Sequence, residues 1–571
     1  MQRTSSKLMI DYKKEELGAI YKPWKNRIRI ALVYPNTYFI GMSNLGFQTV
    51  YAKLNEFDHI VCERFFLPDV HTSSNISLKS IESQRLLTEF DLIAFSISFE
   101  NDYLHILQIL SIAKIPLLSA ERSTKFPLIM AGGIATFLNP EPLADFMDFF
   151  LIGEAELVLD DFISFFSIRL EKTDLLKELS MNIKGIYVPS FYKPIENDRD
   201  ELVGYQPLIK KIPPTIERII ASDPQRPATT KILTPNTLFA NTFLIEVGKG
   251  CPHGCRFCSA GFVYRPPRFH AAEVLEKIFD EGASKTDHIG FVGAAISDCP
   301  NILSLLKKKK EGKRVSFSSL RADNLQPMFI EALVKSHVKS VAIAPDAGSE
   351  RLRHAINKNI SENDFLLAVE KLVENGILNI KVYFMIGLPM ETWEDIEAII
   401  LLIKKLKEVF LKTSRLRGKI GKIIVTISSF VPKPWTPFQW CAMNTEKKLK
   451  EKLKYIREIL QTLPNIQIHA DSISNSTLQG ILARGNRRTS AILHSLQEKR
   501  PVSSILKQYF LEENWLYHEF PQNTFFPWDI LSAGVSKSFL WQEYQLSLSG
   551  QNSAPCSMSK NCKRCGACLA L

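Results

Sequence analysis

Cys251, Cys255 and Cys258 stand in Glu-Val-Gly-Lys-Gly-Cys-Pro-His-Gly-Cys-Arg-Phe-Cys, a C-x-x-x-C-x-x-C run at the end of an apolar segment. Three thiolates on one short loop can ligate three irons of a 4Fe-4S cluster and leave the fourth iron open, whereas a closed cluster or a structural zinc needs four protein ligands. The spacing alone leaves part of a zinc site or a redox pair open. Its surroundings favour the cluster. Phe243, Leu244, Ile245 and Val247 make a buried strand, and Gly248, Gly250, Pro252 and Gly254 supply the turn chemistry that lets backbone wrap closely round a bulky core. A second group, Cys556, Cys562, Cys565 and Cys568, offers four soft ligands beside a glycine, suited to zinc or to an auxiliary iron–sulfur cluster.

The elements that must position these groups are α/β in pattern. At 571 residues the chain exceeds one core, and 45% hydrophobic with 23% charged residues reads as soluble and globular. No apolar stretch follows the N-terminus, and Lys404, Lys405 and Lys407 interrupt the most apolar helical segment, so neither a signal peptide nor a membrane span is expected. Only Cys62, Cys299 and Cys441 lie outside the two cysteine groups, a usage that suits a reducing, cytoplasmic setting. The net charge of +11 includes the run Lys307 to Arg314, read as a solvated helix end. Nucleic acid is left open by this charge but not indicated.

From Ile28 to Tyr34, Asp91 to Ser98, Phe126 to Ala131 and Phe149 to Ile152, apolar runs alternate with helical patterns, which predicts a parallel sheet covered on both faces and a Rossmann-like domain over residues 1–192. Ligands in such sheets bind beyond the carboxyl ends of the strands. Residues 193–241 are proline-rich and read as a linker. Regular β-then-α repetition over 242–443 has the barrel pattern, with polar groups at the strand ends: Gly293, Ser297, Ser318, Arg321, Asp346 and Glu350. A helical region over 444–545 and a cysteine-rich tail over 546–571 complete the division.

The cysteine spacing resembles that of the radical S-adenosylmethionine (SAM) superfamily. The strand-end segments are similar to its motifs in order: a modified glycine-rich segment at Gly293, Arg321-Ala-Asp323, Gly348-Ser-Glu350 and Gly387-Leu-Pro-Met-Glu-Thr392. The resemblance implies a partial (β/α)6 TIM-like barrel, SAM chelated at the open iron, Phe257 against the adenine, and Gly293, Ser297, Ser318, Arg321, Asp346 and Glu350 around SAM. Ala294-Ala295 departs from the usual Gly-Glu. The first domain looks like the cobalamin-binding domain that precedes many such barrels, through Ala131-Gly-Gly-Ile134, Asn139-Pro-Glu141 and Ile152-Gly-Glu-Ala-Glu156. That likeness implies cobalamin beside Asn36, Ser96, Ser98, Gly132, Gly133, Gly153 and Glu154. No D-x-H-x-x-G sequence occurs, so a histidine below the cobalt is not expected. Segments at 34–46, 478–488 and 527–540 extend the likeness to uncharacterised cobalamin-domain radical SAM proteins nearly end to end.

The expected function is reductive cleavage of SAM to a 5'-deoxyadenosyl radical, with cobalamin-dependent methyl transfer to an unactivated position of an unknown substrate and a flavodoxin or ferredoxin as reductant. One alternative is a cobalamin-independent radical enzyme that inserts sulfur or rearranges its substrate. Another is a basic, zinc-stapled RNA-binding protein without catalysis.

Overall fold

The computed structural model describes residues 11–68, 78–166, 170–221, 226–307, 312–498, 504–505, 514–559 and 561–569. Lys308, Lys309 and Lys310 of the basic run lie outside them. The first sheet holds β1 (Ile28–Thr37), β2 (Ile60–Leu67), β3 (Leu92–Ser96), β4 (Leu128–Gly132), β5 (Phe149–Leu151) and β6 (Ile186–Tyr187), in the order β2-β1-β3-β4-β5-β6. All neighbours are parallel except the antiparallel β5/β6 pair. Helices Leu45–Glu56 and Tyr103–Ile112 cross over between parallel strands, Ala155–Phe165 follows β5, and the Asn44 side chain caps the first by accepting from Phe47 N. The apolar-run reading misses β2 because Glu63 and Arg64 stand in its middle. Arg64 is nonetheless fully buried, held by Glu16 at 2.7 Å and Glu82 at 2.6 Å.

The second α/β unit contains β10 (Thr242–Glu246), β13 (His288–Val292) and β14 (Arg314–Phe317) in one parallel sheet. A second parallel sheet runs β15 (Ser340–Asp346), β16 (Asn379–Ile386), β17 (Lys422–Ser429) and β18 (Ile466–Ala470). The two sheets are not hydrogen-bonded to each other among the described residues, and β18 lies within the region expected to be helical, so the second α/β unit continues past residue 443. Its half-buried Ile466, Ile468 and Ala470 alternate with exposed Gln467 and His469, the signature of a strand with one solvated face. The short antiparallel pair β11 (Gly248–Lys249) and β12 (Arg268–Phe269) brackets the cysteine loop.

The expected linker is more ordered than its prolines suggest. It carries the hairpin β7 (Tyr192–Glu196) and β8 (Leu202–Pro207), and β9 (Ile216–Glu217) pairs with β19 (Leu531–Ser532). Nor do the C-terminal elements form a separate layer, since Trp440, Trp528, Phe539 and Leu540 join the core of the first sheet together with Leu388, Phe430 and Trp435 from the barrel mouth.

The carboxyl ends of the two units meet. Glu100, just past β3, pairs with Lys433, just past β17, at 2.5 Å, and Gln479 donates to the same carboxylate at 3.1 Å. Past β5, Glu154 pairs with Arg268 at 2.5 Å and Glu156 with Lys249 at 3.2 Å. Residues at the ligand-binding ends of one sheet therefore touch those of the other, as the connectivity of two open parallel sheets permits. Among the described residues no helix is long and apolar enough to cross a membrane.

Candidate active site

β10 delivers the cysteine loop and Val247 N ties it to Val292 O on β13 at 2.9 Å. Gly250 has φ +81°, and a Cβ there would stand 2.7 Å from Tyr264 O, so the turn into Cys251 needs glycine. Cys258 N donates to Cys255 O at 3.0 Å, which curls the loop. Burial pushes Cys251 up to about 12 and Cys255 up to about 11, while Lys358 and then Arg321 pull Cys255 the other way. Thiols in such a place ionise when a metal cation offsets the cost of burial. All ten cysteines are free. Among the described residues no three Cys, His, Asp or Glu side chains already stand in ligand geometry.

The strand-end residues gather beside this loop. Ser318 Oγ accepts from Gly293 N at 3.2 Å, Ser297 Oγ accepts from Arg321 N at 3.3 Å, and the Arg321 guanidinium holds Asp323 at 2.7 and 3.0 Å. Asp346, at φ +63°, meets Lys358 at 2.6 Å. Phe257 is half-buried and packs against the core at the barrel mouth. Glu350 is not brought into the group. It is exposed, and its carboxylate accepts from Glu362 N at 2.9 Å, so it caps a neighbouring helix. Chemically the donor set fits a cluster with SAM: three thiols of one loop, with cations and a buried carboxylate able to meet the carboxylate and ammonium of a bound amino acid.

The sequence reading missed Lys358, Arg256 and the His253–Asp298 pair at 3.2 Å, because no local spacing marks them. Lys358 is nearly buried, and the negative groups Asp346 and Cys255 hold its pKa up against desolvation, which acts most strongly and in the other direction. Lys358→Met should weaken SAM binding by about tenfold to a hundredfold, since it strands the Asp346 carboxylate. Equilibrium dialysis on cluster-loaded protein measures this. An affinity equal to wild type at equal iron content removes Lys358 from the site.

The outer side of the loop is gripped by the tail. Arg256, fully buried between two of the cysteines, donates to Glu543 Oε2 at 3.2 Å, Gln551 O at 2.9 Å, Ser553 Oγ at 3.0 Å and Ala355 O at 2.8 Å. Cys556 N donates to Pro252 O at 2.8 Å, and Arg564 reaches Ala554 O at 2.8 Å, which folds Cys562 and Cys565 back toward Cys556. Cys568 is raised by burial and then by Cys565, Cys556 and Cys562, in keeping with that fold-back.

The seven residues expected around cobalamin divide. Asn36 donates to Asp102 at 2.8 Å, Ser98 accepts from Asn44 at 2.9 Å, and Glu154 is taken up by Arg268 and Ala221 N. Cβ atoms on Gly133 and Gly153 would fall 2.4 Å from Ile97 O and from Ile219 O. At both positions glycine is needed for the close approach of another backbone segment. Ser96 is half-buried and, among the described residues, no hydrogen bond engages its side chain, and Gly132 is roomier, its nearest contact being Leu151 O at 3.5 Å. Phe39 and Phe99, on the turns past β1 and β3, are 42% and 44% exposed, unusual for large aromatics at strand ends. The exposed rings of Phe39 and Phe99 and the open side of Gly132 leave apolar surface and room at the strand ends, suited to a flat apolar group.

Two family models match the chain: one described as radical SAM proteins, N-terminal, over residues 46–189, and one described as the radical SAM superfamily, over residues 245–403. An uncharacterized protein of Methanocaldococcus jannaschii is 28% identical over 493 residues, covering 85% of this chain and 95% of its own. An uncharacterized methyltransferase of Pyrococcus horikoshii is 26% identical over 170 residues, 28% of this chain and 37% of that protein. Among solved structures, the radical SAM methyltransferase TsrM of Kitasatospora setae, bound to tryptophan and a SAM analogue, is 12% identical, covers 82% of this chain and 99% of its own, and has a TM-score of 0.49. With the cysteine loop at the strand ends of the second α/β unit and family models matched over residues 46–189 and 245–403, this protein belongs to the radical SAM superfamily and is a radical SAM enzyme.

Proposed function

We propose that the enzyme holds cobalamin in the seam between its two sheets and methylates an unactivated position of a substrate bound there. The observation that supports this reading is the contact of strand-end segments, Glu100 with Lys433 and Glu154 with Arg268, between the first sheet and the second α/β unit. When bound, the cluster supplies the electron that breaks the sulfonium C–S bond of SAM, and cobalamin supplies the methyl group. The chain's own residues bind, orient and exclude water. In this reading Cys251, Cys255 and Cys258 would hold the cluster, and Arg321, Asp346 and Lys358 would orient SAM.

A second metal at Cys556, Cys562, Cys565 and Cys568, zinc or iron–sulfur, belongs to the same proposal, as do a cytoplasmic setting and a small electron-transfer protein as reductant. Sulfur insertion is less favoured, because the first domain contributes only Cys62 as a thiol and that side chain is buried in β2. Anaerobic reconstitution with iron, sulfide and hydroxocobalamin tests the proposal. The expected result is release of 5'-deoxyadenosine, retained corrin absorbance and transfer of label from methyl-labelled SAM to a component of cell extract. Release of 5'-deoxyadenosine with no corrin retained and no labelled product defeats the methyl-transfer reading while leaving the radical SAM class intact.

A further inference from the structure

Arg218 is a buried cation in this seam with a donor to spare. The residue is 9% exposed, its Nη1 is buried without a hydrogen-bond partner, and among the described residues no carboxylate pairs with it. Its backbone is fixed from two sides. Arg218 N donates to Ser532 O at 3.1 Å, and the adjoining Ile219 bonds to Ile152 O and Glu154 N at 3.3 and 2.8 Å, which pins the segment to the carboxyl end of β5. The guanidinium lies 5.4 Å from the ring centre of Phe137, in the short helix that opens at the carboxyl end of β4. Phe137 in turn meets Tyr264 edge-on at 6.1 Å, and Tyr264 lies on the segment that follows the cluster cysteines. Arg218 therefore stands between the strand ends of the first sheet and the cluster loop of the barrel.

Charge in this corner does not balance. Arg268 engages Glu154 through two nitrogens, at 2.5 and 3.2 Å, and donates to Ala221 O at 2.6 Å. Two guanidinium groups thus share one carboxylate, and that carboxylate is bonded to the other arginine. Burial, then repulsion from Arg268, lowers the Arg218 pKa to about 10, so the group stays cationic at neutral pH. Charged groups away from water are ordinarily paired, because the cost of desolvation is otherwise unmet. The ring of Phe137 offsets part of that cost and fills none of the N–H donors.

We propose that Arg218 is an oxyanion receptor, which takes a carboxylate or phosphate group of the molecule that occupies the seam. The planar guanidinium offers parallel N–H donors suited to two oxygens of one such group. This inference rests on the reading that the seam is the ligand site. Two sources share the chemistry: an anionic group of the substrate and the phosphodiester of a corrin's nucleotide tail.

Thermal unfolding of the full chain in potassium phosphate and in potassium chloride of equal ionic strength tests the receptor without any knowledge of the substrate. Wild type should unfold at least about 2 °C higher in phosphate. Arg218→Met should lose that difference and, in chloride, unfold above wild type, because it no longer buries an unpaired charge. Arg218→Lys, which keeps the charge and loses the fork, should retain part of the phosphate response and guards against a misfolded Met variant. Dialysis against hydroxocobalamin and against cobinamide, which lacks the phosphodiester, separates the two sources. If Arg218→Met weakens cobalamin about tenfold and spares cobinamide, the oxyanion is the corrin's. If both corrins bind as to wild type while the phosphate response disappears, it is the substrate's. Absence of a phosphate response in wild type together with unaltered cobalamin binding in Arg218→Met overturns the proposal. Should wild type retain no corrin at all, the cobalamin reading fails and the phosphate response alone decides Arg218.

Discussion

Cys255→Ala is expected to abolish cleavage of SAM, with 5'-deoxyadenosine formation falling on the order of a thousandfold or more, because a trio reduced to two thiolates cannot hold a cluster with one open iron. The substitution should be made in a Cys562→Ser, Cys565→Ser background, so that iron held by the tail does not mask the loss. Reconstituted iron should drop to near none in the triple variant, while the background protein keeps about four per chain. The reduced-cluster electron paramagnetic resonance signal, and its change on adding SAM, should vanish with it. Burial of Cys255 beside Lys358 and Asp346 makes this position sensitive, since a serine or alanine there leaves two side chains arranged around a missing anion. Full iron and an unchanged SAM-dependent signal in the triple variant would remove the loop from the chemistry.

Glu543→Ala should cost about 3 kcal/mol of stability and loosen the cluster loop together with the tail. The Arg256 and Glu543 side chains are 0% and 4% exposed, so the variant leaves a guanidinium shut away from water with its carboxylate removed. Ser553 would lose an acceptor too, since its hydroxyl donates to the same Glu543 oxygen at 2.6 Å, and Arg564 would lose the other oxygen at 3.0 Å. Glu543→Gln retains the shape and an acceptor, and should show a smaller loss. Chemical denaturation followed by circular dichroism gives the stability, and iron retained after desalting gives the state of the loop. If Glu543→Ala matches wild type in both, the tail is packing without purchase on the cluster.

Much of the architecture was legible because its signals are local. Apolar runs buried on both faces mark β1, β3, β4, β10 and β13, and the turn residues around Cys251 mark the loop within a dozen positions. The misses have specific causes. β2 hides behind Glu63 and Arg64, whose charges are neutralised by Glu16 and Glu82 from elsewhere in the chain. β18 reads as polar because one of its faces is solvated. The close approach of Ile97 to Gly133 and of Ile219 to Gly153 is not legible in the sequence, because only the packing of the chain brings those segments together.

The amino-acid sequence by itself determined that three thiolates share one loop, that this loop ends a strand, and that the chain alternates strand and helix on both sides of it. Tertiary structure alone decided that Lys358 stands by Cys255, that Glu543 grips the loop from behind, that Glu350 serves a helix cap, and that Arg218 lies in the seam with no paired carboxylate among the described residues. Spacing along a loop or strand is set by bond geometry and can be read residue by residue. The pairing of Arg256 with Glu543 joins positions 287 apart in sequence, and only the packing of the whole chain, with the burial it imposes on each charge, selects such partners.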